Sequence, residues 1–194
     1  MKGELMIRKA ALACVLAVAA AAGAHAAENK ASRVAEDAAQ PVLLPGGASA
    51  LIETHGDWTV SCQVVRNTPI CSLSQQQFDK AKNNQRLLAI ELAAKTADAA
   101  SGTLAMPFGL ALAKGVSLQV DDRKAGENLQ FSTCLVVGCL VPLALDAGRL
   151  EEFKAGTTLK INAVASDTGQ PVNFSVSLNG FASALARTAE LSAR

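Results

Sequence analysis

From Trp58 onward, apolar side chains recur at every second position in short runs that are separated by turn-forming residues. Trp58, Val60, Cys62 and Val64 share one face, the period-two signature of a half-buried strand. Arg66-Asn67-Thr68-Pro69 has turn chemistry, and Ile70–Phe78 follows as the returning partner strand. Leu88, Ile90, Leu92 and Ala94 alternate again, as do Val116, Leu118 and Val120. Between these two runs, Met106-Pro107-Phe108-Gly109 marks a corner, followed by Leu110, Leu112 and a Lys114-Gly115 turn. Asp121–Asn128 reads as a polar hairpin loop, after which Leu129 and Phe131 lead to Cys134. Thr157–Ala165 and Val172–Leu178 predict two more strands around a Ser166-Asp167-Thr168-Gly169 turn. Two stretches change period. Asp146–Lys154 predicts a short helix with Asp146 as cap, Leu150 and Phe153 three apart, and a stop at Gly156. Gly180–Arg194 predicts a closing helix with Phe181, Leu185 and Thr188 on one side. Seven or eight short strands at this spacing predict a mainly β fold: an antiparallel β-sandwich or barrel-like domain with short helical additions. No internal repeat is visible.

The N-terminus follows a different logic. Met1–Lys9 carries Lys2, Arg8 and Lys9 against Glu4, and Ala10–Ala22 is an unbroken apolar run. Ala24-His25-Ala26 then supplies the small-x-small pattern of a peptidase site, completing the layout of a secretory signal peptide over residues 1–26 with cleavage between Ala26 and Ala27. A run of thirteen residues is short for a membrane span, which needs about twenty. Cys14 lies inside that run with Ala11 where a lipobox wants Leu, which argues against lipidation. Residues 27–50, Ala-rich and then punctuated by Pro41, Pro45, Gly46 and Gly47, predict a flexible leader. Residues 51–194 predict a single β-rich domain, and the expected location is the periplasm or the cell surface.

Removing Met1–Ala26 leaves 168 residues with 15 basic and 16 acidic side chains. A near-neutral chain without a block of like charge lacks the electrostatic footprint of a nucleic-acid binder. No second long apolar segment predicts a transmembrane helix in the mature chain. Four cysteines remain, as C-x8-C (Cys62, Cys71) and C-x4-C (Cys134, Cys139). An even number in an oxidising compartment is expected to pair. Of the three connectivities, proximity favours Cys62–Cys71 and Cys134–Cys139, though spacing alone does not exclude the other two. Metal binding is the rival reading, but His55 is the one histidine of the mature chain, and zinc spacing of the C-x2–4-C or H-x3–5-H kind is absent.

Candidate chemistry is sparse. His55 with Asp57 and a serine sketches a hydrolase triad, but no G-x-S-x-G elbow accompanies it. Asp121-Asp122 followed by Arg123-Lys124 reads as a solvated turn, and Glu151-Glu152 point some 100° apart on a helix. Trp58 reads as core rather than as a ligand-stacking platform, because it alternates with Val60 and Cys62. The closing helix, with one Phe and scattered charge, reads as folded on its own domain. The apolar run Leu135–Leu145 has two readings. As buried strand it is ordinary core; held out by a Cys134–Cys139 loop, it is a binding patch. No catalytic, cofactor-binding or metal residue is assigned.

Several of these residues recur together. Asp57-Trp58 followed by Cys62 and Cys71, then Pro107-Phe108-Gly109 with Gly115-Val116, resembles the invasion-associated locus B family of exported bacterial proteins. Phe131-x-x-Cys134, Gly138-Cys139 and the closing Val176-Ser177-Leu178-x-Gly180-Phe181 continue the likeness, which spans about Gly56 to Ala186. The resemblance implies a periplasmic or surface β-sandwich with Cys62, Cys71, Cys134 and Cys139 as structural cysteines and Trp58 in the core. It supplies no catalytic set to carry over. The resulting expectation is a non-enzymatic envelope or surface interaction protein with an unidentified protein, envelope or host-surface partner, contributing to host-cell interaction. The alternatives are a small secreted hydrolase, or a periplasmic chaperone or inhibitor acting through an exposed strand edge.

Overall fold

A computed structural model describes residues 42–80 and 83–194. The signal segment 1–26 with its Ala26–Ala27 junction, Cys14, and the leader up to residue 41 lie outside the described residues.

Two antiparallel sheets make the fold. The larger has seven strands in the order β1-β2-β3-β4-β5-β9-β8 and the smaller four in the order β11-β10-β6-β7. The chain first lays down a meander: β1 (Ala50–His55), β2 (Trp58–Val65), β3 (Thr68–Asp79), β4 (Gln85–Thr96) and β5 (Ala99–Met106). It then leaves for the smaller sheet with β6 (Val116–Val120) and β7 (Asn128–Leu129), and returns through the hairpin β8 (Thr133–Leu135) and β9 (Gly138–Leu145). Helix α1 (Ala147–Ala155) carries it back to β10 (Thr158–Val164) and β11 (Pro171–Ser177), and α2 (Phe181–Ser192) closes on the larger sheet. The sandwich with short helices is as predicted, with eleven strands among the described residues rather than seven or eight.

Alternation sets the core. Trp58, Val60 and Cys62 of β2, Leu88, Ile90 and Leu92 of β4, and Val141, Leu143 and Leu145 of β9 all point inward. Val116, Leu118, Val120, Leu159 and Ile161 face them from the smaller sheet, and one continuous cluster contains both sets. Leu150 and Phe153 of α1 and Phe181, Ala184, Leu185 and Leu191 of α2 fill the remainder. Leu44, ahead of the first strand, is also buried. Asp146 caps α1 by accepting from the Arg149 amide at 2.8 Å, and Gly156 ends it. After the predicted corner, Leu110 forms an isolated bridge with Ala165 and a 3-10 turn occupies Leu112–Lys114.

Both disulfides join cross-strand neighbours. Cys62 lies opposite Cys71 in the β2–β3 register, and Cys134 opposite Cys139 in β8–β9. The Val65–Thr68 turn that brings the first pair together has Arg66 and Asn67 at φ 49° and 61°, the left-handed pair that matches strand twist in a two-residue hairpin.

The two ends of the domain interlock at Trp58. Its indole Nε1 donates to the Ser177 carbonyl at 2.9 Å, and its ring meets Phe181 edge-on with centroids 5.1 Å apart. Phe181 in turn meets Phe153 at 5.5 Å. Ser177 Oγ donates to Asp57 at 2.6 Å, and the Asp57 amide donates to the Asn179 carbonyl at 3.1 Å. Gly180, at φ 85°, lies so close to β1 that a Cβ there would sit 2.0 Å from the His55 carbonyl oxygen. Asp57-Trp58 and Ser177–Phe181 are therefore one structural joint, built from segments about 120 residues apart.

Candidate functional site

The Leu135–Leu145 run divides between the two readings made of it. Beyond Cys139, Val141, Leu143 and Leu145 point into the core, paired to β5 through Leu104, Gly102 and Ala100. Ahead of Cys139 the same run turns outward. Val136 is 98% exposed, and Leu135 and Val137 are about half exposed. Gly138 makes the turn at φ 123°, packed so closely on β5 that a Cβ would sit 2.4 Å from the Met106 carbonyl oxygen. Leu135 pairs with Gly138 and Cys134 with Cys139, so the disulfide clamps the base of a four-residue apolar tip.

Two other connections bring apolar side chains to the same end of the sheet. After β5 ends at Met106, Pro107 and Phe108 leave the strand, and Phe108 is 63% exposed. Phe78, at an irregularity in the β3–β4 pairing and opposite Arg86, is also exposed. Arg86 links these parts: its Nη2 donates to the Val137 carbonyl at 2.6 Å. A shallow depression of about 250 Å³ runs between Arg86, Pro107, Phe108, Val136 and Val137. Exposed apolar side chains clustered on separate turns are what monomeric proteins keep for contact with something else. Because disulfide, glycine turn and arginine hold this cluster in place, docking would order little that is not already ordered.

The second candidate is the surroundings of His55. The structure brings His55 to an acid and a serine, but not to Asp57. Glu53 Oε2 lies 3.3 Å from Nε2, and Ser183 Oγ lies 3.3 Å from Nδ1. Asp57 instead belongs to the joint with Ser177 and Asn179. The Glu53 carboxylate is engaged by Arg187 of α2, through Nε and Nη2 at 2.8 Å each. The Arg187 bonds, aided by His55, hold the Glu53 carboxyl at about 2, against an ordinary value of 4.5. Ser183 Oγ is spent on the Gly180 carbonyl at 3.0 Å. A base for hydrolysis needs an orienting acid on one ring nitrogen and a free nucleophile on the other; here the acid is paired elsewhere and the hydroxyl caps a helix turn. The cluster clasps α2 to the edge strand β1.

The other charged candidates are also structural. The Thr157 hydroxyl, with the Thr157 and Thr158 amides, surrounds Asp121 and holds its carboxyl below the usual range. Asp121 thus fastens the end of β6 to the start of β10 rather than forming a free turn, while Asp122 pairs with Lys160. Glu151 and Glu152 diverge, to Lys154 and Arg149 respectively. A cavity of about 470 Å³ beside Leu118, Leu129 and Leu143 is rimmed by that Arg149–Glu152 pair. Among the described residues, no three His, Cys, Asp or Glu side chains converge on a point that could hold a metal ion. No helix among the described residues is long and apolar enough to cross a membrane.

Sequence reasoning weighed part of Leu135–Leu145 as a patch beside the core reading, but missed Phe78 and the place of Arg86 beside Phe108. The available signal was that residues 104–113 and 129–145 are both free of charged side chains; what the sequence could not show is that they end side by side.

Comparison with known proteins agrees with this architecture. Residues 58–189 match the family model described as invasion associated locus B protein. An invasion protein B homolog of Brucella abortus is 49% identical over 144 residues, covering 74% of this chain and 82% of that protein. Invasion protein B of Bartonella bacilliformis is 34% identical over 150 residues, covering 76% and 80%. The crystal structure of invasion associated protein B from Bartonella henselae superposes with a TM-score of 0.67 at 33% identity, covering 73% of this chain and 96% of that one. With the matched segment running from Trp58 of the first core strand to Ala189 of the closing helix, the chain belongs to the invasion associated locus B family.

Proposed function

We propose that the protein is an exported, non-enzymatic interaction protein of the cell envelope or surface, and that it docks through the apolar end formed by Phe108 and the Cys134–Cys139 hairpin. The observation that carries this reading is Val136, fully extended into solvent at the tip of a disulfide-clamped turn. A rigid scaffold with contact residues on its connecting turns is the usual arrangement for recognition. Two disulfides suit an oxidising compartment, in keeping with the signal-peptide pattern of residues 1–26. The relatives are named invasion proteins, which supports a contribution to host-cell contact.

At the larger sheet the strand-edge alternative has less support. β1 and β8 are the edges of the large sheet. β8 is three residues long, and β1 turns the charged Glu53 inward, both devices that discourage strand addition.

The test is site-specific photo-crosslinking. A photoreactive residue at position 136, with position 98 at the opposite end of the sheet as control, is presented to envelope and host-membrane fractions. Adducts from position 136 alone are expected. Their absence from both fractions would overturn the docking reading and return attention to a hydrolase screen with Ser183→Ala as comparator.

A further inference from the structure

We infer that the apolar end seats on a lipid bilayer carrying anionic phospholipid, with Val136 and Phe108 entering the interfacial layer and Lys80 and Arg86 meeting the headgroups. This names the partner of the docking end and rests on the docking reading above.

Three features select a bilayer over a protein groove. The first is form. The apolar side chains stand on three separate connections, at the end of β3, after β5 and between β8 and β9. Together they present tips on three separate turns around a shallow depression, not a ridge on one element of the kind that fills a protein groove.

The second is backbone satisfaction. A segment entering an apolar layer leaves behind the water that would bond its peptide groups. In the tip, Leu135 and Gly138 pair with each other, and the Val137 carbonyl accepts from Arg86 at 2.6 Å. A disulfide closes the base in place of a polar side-chain bond. The Leu135–Gly138 pair and the Val137 carbonyl therefore keep their partners on entering the layer.

The third is charge. Residues 104–113 and 129–145 contain no charged side chain, so nothing in the segments bearing Phe108 and Val136 opposes entry. Beside them, Lys80 follows the end of β3 and Arg86 stands at the start of β4. Asp79 is the single acid between Phe78 and Arg86. An apolar front flanked by Lys and Arg is the composition that binds acidic membrane surfaces, through burial plus screened attraction.

The experiment is vesicle flotation with oxidised protein recovered after export, its N-terminus read by mass spectrometry. The probes are vesicles of phosphatidylcholine alone and of phosphatidylcholine mixed with phosphatidylglycerol. The wild type is expected to float with the mixed vesicles, and less so as salt rises. Val136→Asp combined with Phe108→Asp is expected to weaken binding at least tenfold. Lys80→Glu should weaken it severalfold and reduce the salt effect, and Val136→Trp should bind at least as tightly as wild type. All these positions are exposed, and equal unfolding midpoints confirm that the variants fold. Equal flotation of wild type and the double aspartate variant would overturn the inference. So would a concentration-dependent dimer dissolved by Val136→Asp, which would assign the surface to a second copy. No flotation with either vesicle, alongside protein adducts from position 136, sinks the lipid inference and leaves the docking reading standing. Neither flotation nor adducts sinks both.

Discussion

Phe181→Ala tests whether the joint between the two ends of the domain holds the fold together. Phe181 is fully buried at the start of α2, edge-on to Trp58 at 5.1 Å and to Phe153 at 5.5 Å. Truncating a buried Phe costs about 3–5 kcal/mol from lost burial and the cavity left behind. The two edge-on contacts, at roughly 0.5–1.5 kcal/mol each, push the expectation to the upper half of that range. Collapse is restricted because Gly180 is pinned against the His55 carbonyl and Trp58 is tied to Ser177. Against a total stability of about 5–15 kcal/mol for a domain, the loss is a large share. It corresponds to a drop of about 2 M in the urea midpoint for an ordinary slope, or roughly 10–15 °C in Tm. The assay has a built-in probe: Trp58 is the sole tryptophan, so its emission reports directly on the joint. Phe108→Ala, at an exposed position, is the control and should stay within about 0.5 kcal/mol of wild type. A Phe181→Ala variant within about 1 kcal/mol of wild type, with unshifted Trp58 emission, would refute the joint as a principal support.

Four further outcomes follow from the same geometry. Replacing Cys62 and Cys71 together by Ala should cost about 2–3 kcal/mol on the loop-entropy account, read by urea unfolding. Replacing Cys134 and Cys139 should cost about 2 kcal/mol and also weaken docking by freeing the tip, which crosslinking at position 136 would register. Glu53 is ionised well below its ordinary range, so the stability it contributes is present above pH 4.5 and is lost as pH falls from there toward 2. Glu53→Gln should remove about 0.5–1 kcal/mol at pH 7, a figure discounted for solvent screening at this partly exposed pair, and flatten that acid limb in a pH series of unfolding midpoints. Gly180→Ala forces a Cβ onto the His55 carbonyl in a left-handed conformation and should cost more than about 2 kcal/mol, seen as a lowered melting temperature.

Edge protection and the His55 cluster bear on function together. Glu53 points inward from β1 and is met by Arg187, 134 residues later. A histidine, a carboxylate and a serine hydroxyl come within bonding distance there, yet each polar group already serves the contact between α2 and β1. The apolar end differs in having no such internal use for its side chains. Val136 touches little of its own chain, and the polar groups around it support the turn and not the side chain itself.

Local pattern determined which residues of each element face inward. Trp58, Val60 and Cys62, or Leu88, Ile90 and Leu92, reveal their buried face within a few residues, because a strand's side chains alternate regardless of what covers them. The helix over Ala147–Ala155 was legible from its Asp146 cap and Gly156 stop for the same local reason. Close spacing favoured the two disulfides, since each lies across one hairpin. β5 escaped notice because Ala99–Met106 is built of small residues and a glycine at Gly102, leaving little apolar contrast. β1 escaped because its inward positions include Glu53 and His55, whose partners lie at the far end of the chain. Only tertiary structure divided the uniform run Leu135–Leu145 into a solvent tip and a core strand. The same apolar residues are buried where a facing sheet covers β9 and exposed where the turn runs past its edge. Which segments meet depends on long-range packing that no local period encodes, so the docking end, assembled from three connections, became visible only in the fold.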